Sequence, residues 1–185
     1  MTETDLSTRE RLVITAATIF RQKGYHGTGL TEILEAANAP KGSLYHHFPD
    51  GKPDLALAAA EWASRGMLQI ITDSFQPAND YQNGATTLCY KLAKFYDIAE
   101  GWNGCPVNHA LFDGPLNETF RQKADEIFTS WTRAIAQHAI RLGEHPDEAA
   151  DKAETLIMSI QGAWVLARAR QTSDVLRQIP KRLFG

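Results

Sequence analysis

The chain has 185 residues, of which 43% are hydrophobic and 22% are charged, a composition typical of an ordinary globular protein. No window approaches the ~18 consecutive apolar residues of a membrane helix, and the opening MTETDLSTRERL lacks the apolar run of a signal peptide, so we expect a cytoplasmic protein without a membrane partner. The net charge of −3 excludes a general nucleic-acid coat, and two cysteines, Cys89 and Cys105, argue against a disulfide framework.

The amino-terminal segment predicts two helices in succession. Ser7 and Glu10 have the spacing of a capping box, which marks the start of a first helix. Gly24 supplies the stop, because glycine readily adopts the left-handed conformation that ends a helix. A second, shorter helix is expected over Leu30–Ala37.

The segment from Gly42 to Phe48, which reads GSLYHHF, predicts a third short helix. Pro40 and Gly42 are assigned to the turn before it, and Leu44 and Phe48, four residues apart, supply its buried side. Its exposed side carries hydrogen-bond donors and no acid: Lys41, Ser43, Tyr45, His46 and His47. Two short helices joined by a tight turn form a helix-turn-helix, whose second helix is suited to the DNA major groove.

The rest of the chain is also predicted to be helical, because apolar residues recur at helical spacing and no sustained period-two run occurs. A long helix is expected over about Lys52–Phe75. Five more helices are expected to begin near residues 85, 105, 117, 146 and 173. With the three amino-terminal helices, the prediction is an all-α protein of nine helices.

These motifs resemble those of TetR-family transcriptional regulators over residues 7–55. The resembling elements are Gly24-Tyr25, Thr28, Ile33, the run Ala39–Phe48 and Lys52. The variants Thr28–Leu34, Ala39–Phe48 and Gly104–Val107 are similar to the LmrA/YxaF-like subgroup. The resemblance implies a helix-turn-helix DNA-binding domain over 1–51 and a ligand-binding and dimerisation domain over 52–185. A repressor that binds a palindromic operator as a homodimer is the expected function.

The expected DNA contacts lie in the amino-terminal domain. They are Thr28, Thr31, Lys41, Gly42, Ser43, Tyr45, His46, His47 and Lys52. Lys41 and Lys52 are expected to meet phosphates, Ser43 a base edge, and Tyr45 a sugar or thymine methyl, while Gly42 permits close approach of the backbones. A metal site shared by the two histidines is not expected, because adjacent residues point to different sides of a helix.

The resemblance implies that the second domain senses a small apolar or aromatic effector, with no cofactor and no metal. The candidate effector-binding residues are Trp62, Met67, Phe95, Cys105, His109, Phe112, Trp131 and Gln161. Trp102 belongs to the same aromatic set. Such side chains line apolar pockets, but they are equally compatible with an ordinary core, and His138, on an apolar stripe, is interpreted as a core histidine.

The last two predicted helices carry apolar ridges that we interpret as exposed. In the resembling family, such helices form a four-helix dimer interface. The expected interface residues are Ile160, Trp164, Leu176, Ile179 and Phe184. A symmetric dimer would place two reading heads about one duplex turn apart.

Other functions are also compatible with the sequence. Cys105 is predicted at a helix N-terminus, a position that lowers the pKa of a thiol, so a redox-responsive repressor is one alternative. A helical enzyme is another, although the sequence has no nucleophile elbow, phosphate loop or zinc-ligand spacing. An architectural DNA protein is disfavoured because residues 1–52 carry six bases and six acids, which cancel.

Overall fold

The computed structural model describes residues 6–98, 105–112 and 117–185, and every regular element in these ranges is an α-helix. The helices are α1 (Thr8–Lys23), α2 (Leu30–Ala36), α3 (Lys41–His47), α4 (Lys52–Phe75), α5 (Tyr81–Ile98), α6 (Pro106–Leu111), α7 (Glu118–Arg141), α8 (Pro146–Arg170), α9 (Asp174–Arg177) and α10 (Ile179–Phe184). The predicted interruption at Gly101–Gly104, which contains Trp102, lies outside the described residues.

The predicted last helix is present as α9 and α10, which only Gln178 separates. Pro180 has no N–H group, so it cannot continue the hydrogen-bond ladder from the preceding turn. Counted as one interrupted helix, these two segments bring the described part of the chain to the nine helices that the sequence predicts. No described helix is both long and apolar enough to cross a bilayer.

Packing divides the chain into two compact units. The first unit comprises the described residues of Met1–Ser64 and Cys105–Ala124, and the second comprises those of Arg65–Gly104 and Asp125–Gly185. Helices α4 and α7 therefore each contribute one part to each unit.

Helix α1 begins and ends where the sequence predicts. The Glu10 N–H donates to Ser7 Oγ over 3.2 Å, and the Ser7 N–H donates to Glu10 Oε2 over 2.9 Å, which completes the capping box. These hydrogen bonds from Ser7 hold the pKa of the Glu10 carboxyl below its usual value. Gly24 ends the helix at φ 75°, a conformation that glycine adopts without steric cost.

Helices α1, α2 and α3 enclose a small apolar core in the first unit. Its buried members include Leu12, Ala16, Phe20, Ile33, Leu44 and Phe48. Leu44 and Phe48 point inward because they lie one helical turn apart, as predicted. This core fixes which side of α3 remains exposed.

The second unit is built around α5 and α8. The Tyr81 hydroxyl donates to the Lys152 carbonyl over 2.8 Å, and the Tyr96 hydroxyl donates to the Ala167 carbonyl over 2.9 Å. Each bond satisfies the polar end of a buried aromatic ring. The two bonds are 15 residues apart on each helix and follow the same order along both. Helices α5 and α8 therefore run in the same direction.

Candidate DNA-binding surface

Helix α3 presents a donor-rich surface that contains no acidic side chain. Tyr45 is 49% exposed, Lys41 and His46 are exposed, and Ser43 and His47 are half-buried. This is the division of α3 into an inner and an outer side that the sequence predicts.

Gly42 lies inside α3, whereas it was predicted in the preceding turn. Helix α3 starts at Lys41 with Pro40 as its N-cap, so the turn ends two residues before Gly42, and Asn38, at φ 47°, makes the sharp bend. A Cβ atom at Gly42 would meet nothing within 4 Å. Packing within the chain therefore does not require glycine there.

Arg11 holds the turn between α2 and α3. Its Nε donates to the Ala37 carbonyl over 3.1 Å, and its second terminal nitrogen, Nη2, donates to the Asn38 carbonyl over 3.4 Å. The end of α2 is thereby fastened to α1. The role of Arg11 was not predicted, because in the sequence it cannot be distinguished from an arginine whose charge is simply solvated.

Lys52 begins α4 and lies against Tyr25. Its ammonium nitrogen is 4.4 Å from the centroid of the Tyr25 ring, and partial burial lowers the pKa of Lys52. The Asp50 N–H donates to Asp54 Oδ2 over 2.9 Å, and Gly51, at φ 72°, allows the chain to enter the helix.

Tyr25 also connects α1 with α6 and α7 inside the first unit. Its N–H donates to the His109 carbonyl over 3.0 Å, and its ring meets the Phe120 ring edge-on at a centroid distance of 5.3 Å. Tyr25 therefore contacts Lys52 as well as helices α6 and α7. This connection was not predicted, because only tertiary structure brings these segments together.

The two predicted threonine contacts occupy different positions. Thr28 is 2% exposed, and its hydroxyl donates to the Gly24 carbonyl over 2.7 Å. Its side chain is therefore packed inside the first unit, although it was predicted to contact DNA at the surface. Thr31 is exposed in the first turn of α2. The physical reason is local: the Thr28 hydroxyl satisfies a carbonyl at the end of α1.

His46 and His47 lie close together without forming a metal cluster. Their ring centroids are 4.8 Å apart, at an interplanar angle of 65°. Within the described ranges, no group of three or more histidine, cysteine or acidic side chains has a metal-binding arrangement.

The eight expected effector contacts are divided between the units. Trp62, Cys105, His109 and Phe112 belong to the first, and Met67, Phe95, Trp131 and Gln161 to the second. Met67, Cys105 and Trp131 are buried, and Phe95, His109 and Gln161 are half-buried. Trp62 and Phe112 are 41% and 47% exposed, so neither lies in a closed apolar interior of its unit.

The apolar ridges predicted to be exposed for dimerisation are not exposed. Ile160, Trp164, Leu176 and Ile179 are buried within the second unit, and Phe184 is half-buried against Tyr81. The outward side of α8 instead carries Met158, Val165 and Leu166, at 61%, 65% and 43% exposure. Helix α8 has apolar residues on more than one side, so the sequence alone does not say which side packs inward.

The second unit has an open groove of about 480 Å³. It is lined by Thr86, Thr87, Tyr90, Lys91, Lys94 and Arg177. None of the expected effector contacts is among these residues. Arg177 also donates to Asp97 Oδ2 over 2.6 Å, so part of its charge is neutralised.

The regular elements in the described ranges are all α-helices, and an exposed, acid-free helix follows a tight turn. This arrangement is that of a helix-turn-helix transcriptional regulator. The family model for bacterial regulatory proteins of the tetR family matches residues 12–59. The family model for the C-terminal domain of LmrA/YxaF-like transcriptional regulators matches residues 83–182. The chain belongs to the TetR family, in its LmrA/YxaF-like group.

Individual relatives agree with this assignment. The chain is 32% identical to the uncharacterized HTH-type transcriptional regulator YxaF of Bacillus subtilis, over 95% of this chain and 92% of that protein. It is 28% identical to the HTH-type transcriptional regulator LmrA of the same organism, over 92% of each. Both relatives are transcriptional regulators.

Solved structures show the same fold. A TetR transcriptional regulator from Chloroflexus aurantiacus is 28% identical, with a TM-score of 0.76 over 95% of this chain and 91% of that one. The regulatory protein TetR from Rhodobacter sphaeroides is 24% identical, with a TM-score of 0.80 over 95% of both chains.

Proposed function

We propose that this regulator is a ligand-responsive repressor that binds a palindromic operator as a homodimer and is released by a small apolar or aromatic effector. The outer side of α3 is the observation that supports DNA binding. It carries hydrogen-bond donors and no acidic side chain, while Leu44 and Phe48 are buried on the inner side. A surface without carboxylates avoids repulsion from phosphates and offers donors to base edges.

The contacts within the DNA interface divide by chemistry. Lys41 and Lys52 bind phosphates, which gives affinity without sequence preference. Ser43 reaches a base edge, and Tyr45 packs on a sugar or a thymine methyl. Because a side chain at Gly42 would be unopposed within the protein, its glycine is best explained by close approach of the DNA backbone.

Two further sets of donors complete the interface. His46 and His47 donate through their rings, more strongly when protonated. Thr31 lies exposed on α2 and reaches the neighbouring phosphate. The Thr28 side chain takes no direct part, because its hydroxyl is used within the chain.

The dimer forms through the outward side of α8. Met158, Val165 and Leu166 are large apolar side chains with more than two-fifths of their surface exposed. At Gly162 a Cβ atom would meet nothing within 4 Å, which leaves room for a partner helix to approach. A twofold axis at this side would bring the same patch of both protomers together and match the symmetry of a palindrome. The regulator CifR, 20% identical with a TM-score of 0.77, has been solved with 26-bp double-strand operator DNA.

Effector binding in the second unit involves Met67, Phe95, Trp131 and Gln161, which combine apolar surface with one amide. In the first unit, α6 is joined to Tyr25 and through Tyr25 to Lys52. An effector that binds within the first unit at Cys105 or His109 and moves α6 therefore displaces a phosphate-binding lysine. The operator is released if the effector binds more tightly to the conformation in which the two DNA-binding domains of the dimer are displaced.

Selection of DNA by the purified full-length protein, followed by sequencing, tests the proposal directly. The expected product is a duplex with two inverted half-sites about one helical turn apart. The selection is then repeated with aromatic candidate effectors, and loss of the enriched sequence identifies the effector. Recovery of only random sequence, or of a single half-site, would contradict the proposal.

A further inference from the structure

Arg9 lies where the first turn of α1 meets the end of α3. It follows the N-cap Ser7 by two residues and is exposed. Its guanidinium carbon is 5.5 Å from the centroid of the Phe48 ring, and Phe48 is the C-cap of α3. The guanidinium therefore covers the ring at the carboxyl end of α3, although Arg9 belongs to a different helix.

The helix does not explain this charge. The positive end of the α1 macrodipole disfavours a cation in the first turn. The adjacent Glu10 carboxylate is already occupied by the hydroxyl and N–H of Ser7. Within residues 6–98, 105–112 and 117–185, Arg9 forms no ion pair. Only the charge of the adjacent Glu10 compensates this exposed cation in part, so its guanidinium can also bind an anion.

Phe48 determines how the guanidinium is presented. A guanidinium stacked on an aromatic ring loses freedom before any partner binds, and its N–H groups remain free at the edge of the plane. Those edge donors match two oxygens of a phosphate, which is why arginine binds phosphates in a bidentate manner. The Phe48 ring thus serves as a platform for this contact.

We infer that Arg9 is a further DNA-contact residue, outside the helix-turn-helix, that binds a backbone phosphate beside the groove entered by α3. This inference rests on the proposed function, since it requires that α3 enters DNA. A purely structural Arg9 would only cover Phe48. The two roles differ in one observable, because only a phosphate contact releases counterions from DNA.

The test measures the operator affinity of the full-length protein as a function of KCl concentration. The duplex is the one recovered by selection. The variants are Arg9→Gln, Arg9→Lys and, as a matched control, Arg170→Gln, which removes an exposed arginine at the end of α8. Unfolding curves of all variants show whether the fold is intact.

Arg9→Gln is expected to lower the slope of log K against log salt by about 1 per protomer, and therefore by about 2 for a dimer. The loss of affinity should be the same for operator and random DNA, because a phosphate carries no sequence information. Arg9→Lys keeps the charge and should keep the slope, and Arg170→Gln should match the unmodified protein.

Two results would overturn the inference in distinguishable ways. If the slope of log K against log salt is unchanged in Arg9→Gln while the unmodified protein binds its operator, Arg9 only packs over Phe48. The proposed function would then be unaffected. Failure of the unmodified protein to enrich any duplex would remove the proposed function and this inference with it.

Discussion

Helices α3 and α8 each have an exposed side that we propose as a binding surface. The sequence predicted the exposed side correctly for α3 but not for α8. Helix α3 has seven residues, of which only Leu44 is buried, and its C-cap Phe48 is buried as well, so a single side packs inward. Helix α8 has 25 residues, with apolar side chains on both its inward and outward sides. The comparison teaches that the face of a helix can be read from sequence only when a single face is apolar.

The largest effect should come from the buried side of α3. Leu44→Ala removes a fully buried side chain from the small core of the head and is expected to cost about 2–5 kcal/mol in free energy of unfolding. Urea denaturation measures this cost, and operator binding should be lost with it. Leu183→Ala, at a half-buried position near the end of the chain, is the milder control. Equal losses in both variants would contradict the assigned inner side of α3.

The outward side of α8 separates assembly from folding. Val165→Asp is expected to yield a folded monomer, because a charge is added to an exposed apolar surface. Operator affinity should fall about 100-fold, or ~2.7 kcal/mol, as the second half-site no longer binds intramolecularly. Sedimentation and gel shift measure the two quantities.

Two variants delimit that result. Gln82→Asp places the same charge on an exposed position of α5 and should leave the dimer intact. Ile160→Ala, on the inward side of α8, should instead reduce stability without abolishing dimerisation. A dimeric Val165→Asp protein would refute the proposed interface.

The outer side of the head should respond more moderately. Lys52→Ala and Tyr45→Ala are each expected to weaken operator binding by roughly tenfold, or ~1.4 kcal/mol, while leaving the dimer unchanged. Gel shifts measure the affinities. Lys52→Arg keeps the charge and should retain most of the affinity. Normal binding by both alanine variants would show that α3 does not dock as proposed.

His138 predicts a smaller, pH-dependent effect in the second unit. Its ring stacks on Phe75 at a centroid distance of 5.7 Å, and burial, with a smaller contribution from Arg141, lowers the pKa of its imidazole. The unfolded chain therefore binds a proton at a higher pH than the folded protein does. Stability from neutral His138 is fully present above pH ~6.5 and is lost as the pH falls below that value.

Thermal unfolding between pH 5 and 8 checks the sign of this effect. His138→Gln should flatten the decline below pH ~6.5. A variant that declines as steeply as the unmodified protein would assign the pH dependence to other groups.

The smallest effect concerns Cys105. It is the N-cap of α6, as predicted, but it is 3% exposed, and Cys89 is fully buried with its pKa raised by burial to about 12. Iodoacetamide at neutral pH should therefore modify neither thiol in the folded protein. Mass spectrometry after labelling provides the measurement. Rapid labelling of Cys105 would revive the redox-responsive alternative.

The sequence by itself determined the helical fold and the helix-turn-helix, because these depend on local signals. The capping box of Ser7 and Glu10, the Gly24 stop and the four-residue spacing of Leu44 and Phe48 act within one or two helical turns. Chain order alone was therefore enough to identify the outer side of α3 and the donors on it.

Only the tertiary structure decided the roles that depend on distant neighbours. It buried the Thr28 hydroxyl against Gly24, placed Arg9 on Phe48, and turned Val165 rather than Ile160 outward. Each outcome depends on which apolar surfaces meet, and the hydrophobic effect that drives their burial is non-directional. A periodic pattern therefore predicts that a helix has an apolar side, while packing selects the side that is buried.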